Sequence, residues 1–77
     1  MELEKVLTDV VSSIVDKPEE VRVSREEDGN EIVLVLTVAP DDMGKVIGKQ
    51  GRIAKAIRTV VKAATDKNAK PVFVEIQ

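Results

Sequence analysis

Residues 46–52, Val-Ile-Gly-Lys-Gln-Gly-Arg, constrain this chain more than any other stretch. Two glycines bracket two polar residues, an apolar helical turn precedes them, and a basic amphipathic helix follows. Glycine at both ends removes the Cβ atoms that would keep another backbone at a distance, and it permits positive φ. Lys49 inside the bracket and Arg52 just after it supply charge suited to phosphates. The plainer alternative is a helix–turn–helix corner with glycine caps. A nucleotide-binding phosphate loop does not fit. Only three residues separate Gly44 from Gly48, Gln50 stands where a Ser or Thr must hold magnesium, and no strand immediately precedes the loop.

The flanking sequence can be read element by element. Leu3, Val6, Leu7, Val10, Val11 and Ile14 form one apolar stripe at helical spacing, which predicts a helix from about Glu2 to Asp16, stopped by Pro18. Val21 and Val23 alternate with Arg22 and Ser24 in a short strand. Residues 26–30 make a turn, with Asp28-Gly29 a strong hairpin signal. Residues 32–38 are apolar on both faces, the pattern of a central strand covered at least partly on both sides. Pro40-Asp41-Asp42 opens a short helix, with Asp41 or Asp42 placed to accept its free N–H groups. Met43, Val46 and Ile47 face inward, and Gly48 ends this helix. A third helix runs from about Arg52 to Asp66. Asn68-Ala69-Lys70-Pro71 is a loop, and Val72, Val74 and Ile76 alternate in a last strand. Phe73, the single aromatic residue, reads as core. The order is α-β-β-α-α-β, with no internal repeat or linker.

A β-α-α-β unit with G-x-x-G between its helices resembles the minimal KH motif, and the extra helix and strand placed before it resemble the type II KH fold. Val46-Ile47-Gly48-Lys49-Gln50-Gly51-Arg52, continued by Ala56-Ile57-Arg58, is similar to the family's loop-and-helix signature. The resemblance covers residues 1–77 as one KH domain and points to the small stand-alone bacterial KH proteins of the KhpA type. It implies an α+β fold: a three-stranded mixed sheet with helices on one face. It also implies a clamp on about four nucleotides of single-stranded nucleic acid. The RNA-binding residues it implies are Ile47, Gly48, Lys49, Gln50, Gly51, Arg52, Ile53 and Lys55. Ile47 and Ile53, with some of Ile32, Leu34 and Leu36, would floor the groove, although core packing is the competing role of the last three. Post-transcriptional regulation or RNA chaperoning in bacteria follows from the same resemblance. So does a heteromer with a larger KH-containing RNA-binding protein of the Jag (KhpB) type.

Charge supports a polyanion partner. Net charge is −2, but residues 1–42 carry twelve acids and four bases while residues 43–77 carry eight bases and two acids. The basic block begins at the glycine loop. On the third helix Arg52, Lys55, Arg58, Thr59, Lys62, Thr65 and Asp66 form a polar arc, basic except at its far end. An ordinary solvated face is the bland alternative.

The opposite arc of that helix is wide. Ile53, Ala54, Ile57, Val61 and Ala64 can cover a core. Ala56, Val60 and Ala63 then form a flank, which is either a homodimer surface or buried beneath the first helix. This feature leaves open a second reading, a protein–protein module whose nucleic-acid affinity is incidental.

Catalysis has little to work with. Without cysteine or histidine there is no thiolate, imidazole or disulfide. No cofactor or metal is expected. No apolar run reaches membrane-spanning length and the N-terminus lacks a signal pattern, so a cytoplasmic protein off the membrane is expected.

Overall fold

A computed structural model describes residues 3–65 and 70–77. Its elements are α1 (Leu3–Ser12), β1 (Arg22–Glu27), β2 (Ile32–Thr37), α2 (Met43–Ile47), α3 (Arg52–Ala64) and β3 (Val72–Ile76). Three-residue 3₁₀ turns at Pro18–Glu20, Pro40–Asp42 and Lys49–Gly51 join them. The order α-β-β-α-α-β is the one read from the sequence. The sheet runs β1-β2-β3, with β1 antiparallel and β3 parallel to the central β2.

Register decides which side chains are buried. Val23 pairs with Leu36, and Leu34 with Val74, so these residues share the face on which the helices lie. The core there comprises Leu7, Val11, Ile32, Leu34, Leu36, Val46, Ile57 and Val61, closed by Val15, Val21, Val38 and Val74. Alternate residues point to the helix-free face. Val33 lies opposite Phe73 there, and Val35 opposite Glu75. The two-sided cover expected for β2 is therefore uneven: helices cover one face, while Val35 is buried on the other among its sheet neighbours.

Phe73 departs from the expectation altogether. It is 52% exposed on that open face, because alternation along β3 gives the core to Val72, Val74 and Ile76. Ala64, expected to cover the core, is exposed too, and Ile53 is only half-buried. Three residues of α3, Ala54, Ile57 and Val61, are buried.

Two boundaries moved. The helix expected to reach Asp16 ends at Ser12. Beyond it the bonds shorten to the third residue back, Ser13 N–H to Val10 O and Ile14 N–H to Val11 O. Lys17, which precedes Pro18, is held out of the helical region at φ −120°, ψ 70°. Conversely β1 extends through Glu26 and Glu27, which the sequence had placed in the turn. That turn is built by the carboxylate of Asp28, whose Oδ1 accepts the N–H groups of Asn30 and Glu31 at 2.8 Å each. Gly29 does not take positive φ, so the connection is an Asp-nucleated loop and not a two-residue primed turn. The end expected at Asp66, and Asn68 and Ala69 of the following loop, lie outside the described residues.

Candidate nucleic-acid interface

The loop is built by three departures from ordinary backbone within four residues. Gly48 sits at φ 73°, ψ 177°, Gln50 at φ 58°, ψ 27°, and Gly51 at φ 73°, ψ 14°. α2 is held shut at its end by Gly48 N–H to Gly44 O at 2.8 Å, and the loop is closed by Gly51 N–H to Gly48 O at 3.3 Å. An anion approaching the loop would meet the positive, N-terminal end of α3.

The two glycines have different duties. A Cβ on Gly48 would lie 2.3 Å from Ile53 Cγ1 and 2.8 Å from Ile53 Cβ. This glycine lets the chain pass against the first turn of α3. A Cβ on Gly51 would meet nothing within 4 Å, so that position needs glycine for its dihedrals and for whatever approaches from outside. The close packing of Gly48 on Ile53 was not legible in a motif that treats its glycines alike.

Cations lie on this loop and along α3 beyond it. Lys49, Arg52, Lys55 and Lys62 are exposed, and none forms an ion pair among the described residues. Ile47 is 40% exposed, not inward-facing as the spacing implied, and Ile53 is half-buried. Ile47, Gly48, Lys49, Gln50, Gly51, Arg52, Ile53 and Lys55 are thus gathered at one end of the helical layer. Ile32, Leu34 and Leu36 are buried core.

A second wall comes from β3. Pro71 O accepts from Ile32 N–H and Gln77 N–H donates to Leu36 O, both at 2.9 Å. In a parallel ladder that alternation turns the N–H and C=O groups of Val72, Val74 and Ile76 to the free edge. Arg58 Nε donates to the carbonyl of Val74 there, at 3.3 Å. Arg58 was legible as part of the basic arc, but its bridge from α3 to the sheet edge depends on tertiary placement.

The capping role given to Asp41 or Asp42 is overturned. Neither side chain accepts an N–H group of α2, and Asp42 has helical backbone angles. Asp41 is exposed and pairs with Lys17 at 3.6 Å. Asp42 is 1% exposed and accepts the N–H groups of Asp16 at 3.1 Å and Lys17 at 3.0 Å, one on each carboxylate oxygen. Lys45, next along α2, pairs with the Asp16 carboxylate. That hydrogen bond, with the charges of Asp16 and Asp42, holds the Lys45 ammonium above its ordinary range against some desolvation.

The family model for the KhpA/KhpB KH domain matches residues 4–76. The chain belongs to the KhpA/KhpB KH-domain family. It is 58% identical over 74 residues to the RNA-binding protein KhpA of Clostridium acetobutylicum, covering 96% of this chain and 99% of that relative. It is 60% identical over 73 residues to the RNA-binding protein KhpA of Clostridium perfringens, covering 94% and 97%. Identity to the protein of that name from Oceanobacillus iheyensis is 47% over 74 residues, covering 96% and 99%. These relatives of the KhpA/KhpB family are named for binding RNA and not for a reaction. Among the described residues, no helix is long and apolar enough to cross a membrane.

Proposed function

We propose that this chain clamps single-stranded RNA, with the Gly48-Lys49-Gln50-Gly51 loop holding the phosphate backbone and the basic face of α3 extending the contact. The observation that carries the reading is the loop itself: glycines at positive φ at both ends, with Lys49, Arg52 and Lys55 exposed beside them and in no ion pair among the described residues. Ile47 and Ile53 supply an aliphatic floor beside it, so the bases need no aromatic platform. The clamp should act in bacterial cytoplasm, in post-transcriptional regulation or as an RNA chaperone, which the family membership supports.

The test is binding of a labelled oligo(U) strand against a duplex of equal length, for wild type and Gly51→Asp. Aspartate tolerates the left-handed region and meets open space there, so the variant should stay folded. It should lose the strand because its carboxylate faces the phosphates. Undiminished binding by the folded variant, or equal binding to duplex, would refute the clamp.

Assembly is a second element of the reading. Ala56, Val60 and Ala63 are exposed along α3, Val60 at 43%. Val60 borders an apolar crease shared with Val6 and Val10 of α1. Small and branched side chains on such a strip favour close helix crossing, and a two-fold axis would put two clamps in one particle. A homodimer on this strip, or a heteromer through it with a larger KH protein of the Jag (KhpB) type, fits the exposure. A protein–protein module with incidental RNA affinity would keep the strip and have no use for the cations at the loop.

A further inference from the structure

We propose that Asp42 is a positioning residue for the clamp, gripping the Asp16–Lys17 backbone so that the single short helix carrying the loop is held in one orientation. This rests on the reading of the loop as the RNA clamp.

α2 spans five residues, little more than one turn, and buries a single side chain, Val46. An element so short cannot hold its own orientation by helix propensity, since isolated helices below about 12–15 residues are marginal. Yet Gly48 is its C-terminal boundary, and any tilt of α2 is passed directly to the loop. Besides Val46 in the core and Met43 packed against it, what holds α2 is polar. Asp42 is the one buried charged residue among the described residues. Its two oxygens take two successive N–H groups from the connection between α1 and β1, at 3.1 and 3.0 Å, across 26 and 25 residues of sequence. Lys45 to Asp16 and Lys17 to Asp41 tie the same two segments again.

A buried carboxylate is costly unless every acceptor is used and a counter-charge is near. Here each carboxylate oxygen takes one backbone donor, and the Lys45 ammonium, paired with Asp16, adds its charge nearby. The geometry also demands a carboxylate. Asparagine has one acceptor and would turn its NH₂ toward the second N–H group. The residue gives up capping its own helix to make this tie, which a purely local role would not require.

Asp42→Asn and Asp42→Ala should therefore loosen the loop in a folded protein. If the loop then holds its binding geometry about one-tenth of the time, affinity for labelled oligo(U) falls about tenfold. The slope of affinity against salt should not change, because the cations are untouched. Amide resonances of Gly48, Gln50 and Gly51 should shift at a temperature where the variant is fully folded. Folded variants with wild-type loop resonances and wild-type affinity would overturn the proposal. If wild type bound no RNA, the clamp reading would fall, and the loop resonances would still decide what Asp42 positions. If the variants did not fold, amide exchange in wild type would decide. Asp16, Lys17 and Gly48 should open together, and independent opening would refute the coupling.

Discussion

Replacing the two loop glycines one at a time by alanine should separate steric from conformational need. Gly48 occupies φ 73°, ψ 177°, a region nearly exclusive to glycine, and a side chain there costs about 1–3 kcal/mol. Gly51 occupies the left-handed helical region at φ 73°, ψ 14°, where the corresponding cost is about 1–2 kcal/mol. The dihedral terms are therefore similar, and the loss of unfolded-state freedom offsets both equally. The difference lies in contact. The new Cβ at 48 would stand 2.3 Å from Ile53 Cγ1 and 2.8 Å from Ile53 Cβ, whereas that at 51 would touch nothing within 4 Å. Rotating Ile53 relieves the first clash but not the second, because its Cβ is fixed to the α3 backbone. Overpacking of this kind typically adds about 1–3 kcal/mol. For a domain of this size each kcal/mol moves the melting temperature by roughly 4–8 °C. Gly48→Ala should thus melt at least roughly 4 °C below Gly51→Ala, a gap read by thermal circular dichroism. Equal melting temperatures would refute the argument that Gly48 exists to let α3 pass.

The remaining expectations concern charge and assembly. If about four cations meet phosphates, log affinity against log salt should have a slope of roughly −3, and Lys49→Ala should flatten it by somewhat under one unit; a flat wild-type response would leave these cations as solvent-facing charge only. Val60→Asp should turn a dimer into a monomer by light scattering and weaken binding to long RNA more than to a tetranucleotide; a monomeric wild type at high concentration would end that idea. Asp28 should titrate below its ordinary value of 3.8, held down by the N–H group of Asn30 first and that of Glu31 next. Its folded pKa is depressed, so the stability it adds is present above the ordinary carboxylate range and lost as pH falls through the folded value. A carboxyl titration by NMR with a midpoint at or above 3.8 would contradict this.

Periodicity carried most of the fold. The stripe Leu3, Leu7, Val11 and the alternation Val72, Val74, Ile76 each report a local period that packing then obeys, and the G-x-x-G bracket reports a local dihedral need. Other features are tertiary facts. The hydrophobicity of Phe73 points to the core, but alternation decides its place: Val72 and Val74 turn inward on either side and leave it outside. A carboxylate ahead of a helix is usually a cap, and Asp42 is not one. The competing partners, the N–H groups of Asp16 and Lys17, lie 26 and 25 residues away and are freed only because α1 stops early. Ile47 illustrates the limit of helical spacing in α2: with scarcely more than one turn, one position can be buried, and Val46 has it.

The clip from Arg58 to Val74 bears on how this small domain keeps foreign strands off its sheet. An outer strand with unsatisfied backbone is a template on which a foreign strand can grow. Here a guanidinium from the overlying helix occupies the middle carbonyl of that template and leaves a positive charge beside it. The protection lasts only while α3 is docked. Variants that loosen α3 should therefore not merely unfold; they should open a growth edge and precipitate, at temperatures where variants that loosen α1 stay clear.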